Sequence, residues 1–266
     1  MGLMTRPWLT LVLIFAAASA TAAAFGSASP ASAARWTSVP TATWQLQFTG
    51  PIDLSVPADV FDLDMFDTPR QLVRKLHATG RHAICYINAG AWESWRPDAA
   101  AYPSSVKGRD LDGWPGERWL DIRRLDVLGP ILVERVRQCR DKGFDGVEFD
   151  NVDGYQNGTG FDLSASDQLA FDRWLADTAH SHGLAVGLKN TLGLAVDLES
   201  RFDFAIVEHC FTYRECGLTA PFVDAGKAVI DIEYSLARSA FCDRAERLGI
   251  TAMRKHRDLD AWRRPC

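Results

Sequence analysis

Short runs of alternating apolar and polar residues recur along the chain, separated by stretches with helical spacing. The alternating runs predict strands at Thr43–Phe48, Val60–Met65, Ala83–Asn88, Gly146–Asn151, Ala185–Asn190, Phe204–Cys210, Ala228–Glu233 and Thr251–Lys255, with Leu120–Arg123 as a short extra candidate. Helical spacing, with Asp, Ser or Thr before and Gly after, predicts helices over Arg70–Thr79, Leu125–Lys142 and Ser166–Ser181. Shorter helices are predicted at Leu192–Ser200, Ala220–Ala225 and Leu236–Leu248. Strands that alternate with helices imply a parallel sheet. Eight of them in a chain of this length predict a single-domain α/β fold, the (β/α)8 or TIM barrel. A doubly wound sheet is the alternative.

The faces of these strands raise the chemical question. In Gly143–Asp153, Val147 and Phe149 suit the helix-facing side, which leaves Glu148 and Asp150 pointing into the barrel. The same reading turns Gln45 and Gln47, Asp62 and Asp64, Tyr86 and Asn88, Lys189, and Asp231 and Glu233 inward. A barrel built for stability alone fills its interior with branched apolar residues. Buried charges are unfavourable unless paired, so this polar row predicts a functional mouth at the C-terminal ends of the strands. Glu148, deeper than Asp150, is expected to pair with Lys189. Asp153 reads as a loop or capping residue.

Composition narrows the classes. The chain has 266 residues, is 47% hydrophobic and carries a formal net charge of -5. That argues against nucleic-acid binding, which needs clustered Lys and Arg, and it suits a cationic ligand. Arg6, the apolar run Trp8–Ala18 and the small residues through Ala31-Ser32-Ala33 predict a signal peptide over residues 1–33. Ala-Thr-Ala-Ala-Ala at 20–24 is an earlier cleavage option, and an uncleaved anchor is the competing reading. A lead-in at 34–42 and the catalytic domain at 43–266 would follow, giving a secreted, extracellular protein with no membrane segment after cleavage. Six cysteines then suggest disulfides: Cys210 with Cys216, Cys242 with Cys266, and Cys85 and Cys139 as either a pair or two buried thiols. Zinc ligation is the rival, without a CxxC or His pair at ligand spacing.

Asp150 and Glu208 each end a strand, two strands apart. Two carboxylates across a barrel mouth are the equipment of a glycosidase, one attacking or activating water and the other protonating the leaving oxygen. His209 points away and reads as structural. Trp92, Trp95, Trp114 and Trp119 crowd the long segment 89–125, where flat aromatic faces suit sugar rings. The candidate substrate contacts are Gln45, Asp62, Asp64, Tyr86, Asn88, Trp92, Asn151, Lys189 and Glu233. No metal ligand set is expected, although an acidic cluster of Glu148, Asp150 and Asp153 is a weak alternative.

The segments Trp44-Gln45-Leu46-Gln47, Phe61-Asp62-Leu63-Asp64, Cys85-Tyr86-Ile87-Asn88, Gly143–Tyr155 and Glu208-His209-Cys210-Phe211, in this order, resemble glycoside hydrolase family 114, the endo-α-1,4-polygalactosaminidases. The resemblance covers nearly the whole chain after the signal peptide. It implies a (β/α)8 fold, secretion and no cofactor. It also implies endo-hydrolysis of a cationic α-1,4-linked galactosamine polysaccharide, including partly N-acetylated forms. By the same resemblance Asp150 is the nucleophile and Glu208 the acid/base of a retaining mechanism. Val207 and His209 depart from the Asn and Gln that often flank this Glu in the family. A monomer is expected. Two other readings stand beside this one: a polysaccharide-binding barrel without catalysis, and a metal-dependent hydrolase of another polymer.

Overall fold

The computed structural model describes residues 1–3 and 35–266. The expected signal peptide therefore lies outside the described residues, apart from its first three. Strands β1 (Trp44–Gln47), β2 (Val60–Asp64) and β3 (His82–Asn88) are followed by an excursion of β4 (Ala91–Glu93), β5 (Lys107–Asp110) and β6 (Glu117–Leu120). Strands β7 (Gly146–Asp150), β8 (Ala185–Lys189), β9 (Phe204–Glu208), β10 (Ala228–Glu233) and β11 (Thr251–Lys255) then resume the barrel, and β12 (Arg263–Pro265) turns back antiparallel on β11. Around them lie α1 (Arg70–His77), α2 (Leu125–Lys142), α3 (Ala165–Ser181), α4 (Ala195–Leu198), α5 (Cys210–Tyr213), α6 (Ala220–Asp224) and α7 (Cys242–Leu248).

The parallel strands run in the order β1, β2, β3, β7, β8, β9, β10, β11. The sheet is a nearly closed (β/α)8 barrel of the TIM type. Its remaining gap, between β11 and β1, is bridged by the C-terminal segment. Phe48 N–H donates to Leu259 O at 2.9 Å, Gln45 Nε2 to Ala261 O at 2.9 Å, and Arg263 to Trp44 O.

The register decides which residues face inward. Leu46 pairs with Asp62, Asp62 with Ile84, Tyr86 with Glu148 and Glu208 with Ile232. Trp44, Leu46, Val60, Phe204, Ile206 and Ile230 pack together as the lower layers of the interior. Phe61, Leu63, Val147 and Phe149 belong to the outer core under the helices. Bulk is balanced across the barrel: Gly187 pairs with Phe204, and a Cβ on Gly187 would sit 2.3 Å from that ring. Each fully buried aromatic of this kind contributes roughly 1.5–3 kcal/mol. Below, Trp36 of the lead-in packs on His82, Trp44 and Phe204 with centroids 5.0–6.4 Å apart.

The helix ends follow the sequence signals. Gly143 stops α2 in a left-handed conformation at φ 93°, and Ser164 with Asp167 forms a capping box for α3. Four expectations are corrected here. Helix is confined to Cys242–Leu248 within the predicted Leu236–Leu248, and to Ala195–Leu198 flanked by 3-10 turns within Leu192–Ser200. Leu120 ends β6 instead of starting a strand of its own. Strand β9 stops at Glu208, because His209 turns left-handed at φ 61°.

All six cysteines are paired, Cys85–Cys139, Cys210–Cys216 and Cys242–Cys266. The first bonds β3 to α2, and the last ties the C-terminal segment to α7. Among the described residues, no helix is long and apolar enough to cross a membrane.

Candidate active site

The inner faces of β2, β3, β7, β8 and β9 change from apolar below to polar at the mouth. At the centre stands Lys189. Its Nζ lies 3.0 Å from Asp150 Oδ1, 3.3 Å from Glu148 Oε1 and 3.4 Å from Glu208 Oε2. Three carboxylates thus converge on one ammonium, which occupies the place a metal ion would need. Lys189 and Glu148 are buried, whereas the side chains of Asp150 and Glu208 keep 19% and 27% exposure. Only those two members of the cluster can meet a substrate.

Asp150 is held on both oxygens, since the Tyr86 hydroxyl donates to Oδ2 at 2.8 Å. Burial opposes its ionisation, but the Lys189 charge and the Tyr86 and Lys189 hydrogen bonds outweigh it, so its carboxyl lies below the usual range. Burial works against the Lys189 ammonium too, and the charges of Asp150, Glu208 and Glu148 hold its pKa well above the ordinary value. Glu208 accepts a short hydrogen bond from Tyr234, and its N–H is fixed by Asn190 Oδ1 at 2.9 Å. Underneath, Asp62 and Glu148 are fully buried. Burial first, and then the Glu148 charge, push the Asp62 carboxyl far up, so Asp62 keeps its proton.

Asn151, Asn190 and His209, each just past an inner strand, all adopt left-handed φ (59°, 49° and 61°). These turns end β7, β8 and β9 at the mouth, and Asn tolerates them better than most residues. The β7 turn is also packed tightly: a Cβ on Gly90 would lie 1.7 Å from Asn151 O.

The structure brings together Asp150, Glu208, Lys189, Tyr86, Asn88 and Asn151 of the anticipated set. Asn88 Oδ1 accepts from Asn151 Nδ2 and from Ala91 N–H, each at 3.0 Å. Other candidates are placed elsewhere. Gln45 pairs in register with outward Phe61 and serves the seam, and Gln47 binds the carbonyls of Thr49 and Pro51. Asp231 and Glu233 face outward, where they accept the N–H groups of Cys210, Phe211 and Thr212 that build α5. Asp62 is sealed beneath the mouth. Asp64 is saturated by both Arg96 nitrogens, at 3.0 and 2.6 Å, and by the N–H groups of Phe66 and Asp67. Trp92 is covered by Lys107, with Nζ 3.8 Å from the ring centroid, while Trp95 and Trp114 remain exposed. Asp153 stands at the N-cap position of a short 3-10 turn, without a capping hydrogen bond to its side chain. The His209 ring packs on Tyr234 at 5.0 Å.

Sequence reasoning missed Tyr234, Glu93 and Glu117. Tyr234 continues the Ile230, Ile232 alternation and would have been found had β10 been faced correctly. Glu93 and Glu117 lay in a segment read as loop.

The profile of the glycoside-hydrolase family GH114 matches residues 26–266. The chain belongs to that family. Its GH114 barrel is similar to Ega3 of Aspergillus fumigatus, solved in complex with galactosamine: 36% identity, TM-score 0.84, covering 88% of this chain and 98% of that one. The glycoside hydrolase domain of PelA from Pseudomonas aeruginosa shares the fold, with TM-score 0.67 at 14% identity over 84% of this chain and 97% of that one. An uncharacterized protein of Deinococcus radiodurans is 34% identical over 114 residues, 41% of this chain and 35% of that protein. This GH114 chain thus spans about a third of that relative.

Proposed function

We propose that this enzyme is a secreted endo-glycosidase that cleaves α-1,4-linked galactosamine and N-acetylgalactosamine polysaccharide by a retaining mechanism. The observation that carries the reading is the shared contact of Asp150 and Glu208 with Lys189 Nζ, at 3.0 and 3.4 Å. Even laid in a straight line, the two contacts keep the oxygens that touch Nζ closer together than about 6.5 Å, the shortest carboxyl separation of an inverting pair. That favours a direct attack over a water held between the carboxylates.

Asp150, ionised and pinned by Lys189 and Tyr86, attacks the anomeric carbon. Glu208 gives its proton to the departing glycosidic oxygen. Water then gives a proton back to Glu208 as its oxygen displaces Asp150 from the same carbon. Lys189 and Tyr234 stabilise the Glu208 carboxylate between the two steps. The likeness to Ega3, crystallised with galactosamine, supports the substrate class, and the acidic mouth suits a cationic polymer. Three disulfides suit an exported protein, and the signal-peptide reading of residues 1–33 accords with them.

The test is product release from partly deacetylated α-1,4-galactosaminogalactan by wild type, Asp150→Asn and Glu208→Gln, with chelator present. Oligosaccharides from wild type alone support the reading. Polymer bound but uncut by wild type points to a binding barrel, and activity that needs an added divalent ion points to a metal-dependent hydrolase.

A further inference from the structure

The strand that delivers Glu208 runs on into α5 (Cys210–Tyr213), a single helical turn that is held with unusual care. Left-handed residues flank it, His209 at φ 61° and Arg214 at φ 65°. Side chains take up that conformation at a cost, and it clusters at ligand-binding sites. Two fully buried carboxylates accept the N–H groups of the turn. Asp231 accepts from Cys210 at 3.2 Å, and Glu233 accepts from Phe211 and Thr212 at 2.9 and 3.0 Å. The Cys210–Cys216 disulfide fastens α5 to the 3-10 turn that follows. None of these groups takes part in the chemistry given to Asp150 and Glu208. Together they hold one short wall in place.

That wall leads outward from the acid. Glu208 accepts from Tyr234, His209 packs edge-on against Tyr234 with centroids 5.0 Å apart, and Tyr213 stands 5.6 Å from His209 with its plane tilted by 58°. Exposure rises along the series, from 27% and 29% for the side chains of Glu208 and His209 to 66% for Tyr213. The last two rings make an open corner. His209 Nδ1 is buried 3.7 Å from Glu233 Oε2, too far for a hydrogen bond. The exposed edge of the ring is therefore the one that carries Nε2.

An aromatic face beside a hydrogen-bonding edge is the make-up of a small-ligand site, and position says which ligand. The acid stands by the glycosidic oxygen that it protonates, so the ring beyond that oxygen lies past Glu208. Strand order puts the β4–β6 excursion on the other side, next to β3 and Asp150. There Glu117 accepts from Asn88 at 3.0 Å, and Glu93 pairs with Arg96 at 2.7 Å. On the side of the leaving group the wall is α5.

We propose that α5 forms the leaving-group subsite: Tyr213 stacks on the sugar ring that departs, and His209 hydrogen-bonds one of its hydroxyls. The inference rests on the glycosidase reading above and deepens it.

The test uses two substrates with the same glycone. One is a fully deacetylated α-1,4-galactosamine oligomer, whose leaving group is a sugar. The other is the corresponding α-galactosaminyl fluoride, whose leaving group has no ring and needs no proton from Glu208. Tyr213→Ala should lower kcat/KM on the oligomer ~10-fold or more relative to the fluoride, a change of about 1.4 kcal/mol. Tyr213 is largely exposed, so its truncation spares the fold. His209→Ala should act in the same direction, and His209→Gln, which keeps a hydrogen-bonding side chain, should recover most of the loss. A loss on the fluoride as large as that on the oligomer overturns the subsite, as does no loss on either. Calorimetric binding of the oligomer to Glu208→Gln, with and without Tyr213→Ala, does not depend on turnover. Weaker binding in the folded double variant supports the subsite, and unchanged binding overturns it. If wild type cleaves neither substrate, the glycosidase reading fails, and the calorimetry alone decides whether α5 holds sugar.

Discussion

Lys189 hydrogen-bonds the one inner carboxylate, Asp150, whose ionisation it most needs to favour, at 3.0 Å. The same ammonium stands farther from Glu208, at 3.4 Å, and the Glu208 side chain keeps 27% exposure. One buried cation thus sets apart two acids that share a mouth, and its removal tests the arrangement. Lys189→Met withdraws the charge that offsets the burial of Asp150. The Asp150 pKa then rises, and the acidic limb of the kcat/KM profile moves to higher pH. A profile displaced downward or unmoved would contradict the role given to Lys189.

Tyr86 supplies the other bond to Asp150, at 2.8 Å. Hydrogen bonds to charged groups contribute about 1.5–3 kcal/mol. Tyr86→Phe should therefore lower kcat/KM by roughly 10–100-fold, with little change in the melting temperature. Steady-state kinetics on the deacetylated oligomer reads this directly.

Gly90→Ala probes the support of the β7 turn. Its new Cβ would meet Asn151 O at 1.7 Å, so the turn after Asp150 must shift. Misplacing a reacting group by about 1 Å can cost ~10²-fold in rate. Activity should fall by that order while the circular-dichroism spectrum is retained.

Asp231 predicts a pH dependence of stability. Burial, and then the charge of Glu233, raise its carboxyl to about 8. The folded protein therefore binds more protons here than the unfolded chain does. This contribution to stability is full below the ordinary carboxylate value, about pH 3.9, and is lost as pH rises toward about 8. Asp231→Asn keeps an acceptor for the Cys210 N–H. Urea midpoints at pH 5 and pH 8 should differ less in the variant than in wild type.

The Cys85–Cys139 bridge closes a separation of 54 residues and anchors β3 to α2. Replacing both cysteines with Ala should cost about 2–4 kcal/mol, read as a lower melting temperature. The site carboxylates make no contact with this bridge, so the rate constant at low temperature should persist.

The alternation that revealed the strands also placed Glu148, Asp150 and Lys189 correctly, because the opposite faces of β7 and β8 carry bulky apolar residues that fit only under helices. The same alternation failed on β1 and β10. There both faces are buried, and polarity shows that a residue has a partner without showing on which side. Gln47 serves backbone carbonyls of its own loop, and Glu233 serves the N–H groups of α5. Neither need has a period in sequence. The acids Glu93 and Glu117 were illegible for another reason: β4 and β6 are three and four residues long, too short to display an alternation. The Trp-rich segment folds into a small sheet that places Trp92 under Lys107 and leaves Trp95 and Trp114 exposed.

The seam at β1 joins Gln45 to Ala261, 216 positions apart. This closure carries one of the largest loop entropies in the molecule, and such distant contacts form late. Until they form, β1 and β11 are bare edges open to pairing with other chains. A polypeptide stopped short of residue 257 would keep every acid of the mouth and still be an unsealed ribbon prone to aggregation. Chaperoning of the emerging chain, more than the chemistry of the mouth, would then limit how much active enzyme a producing cell obtains.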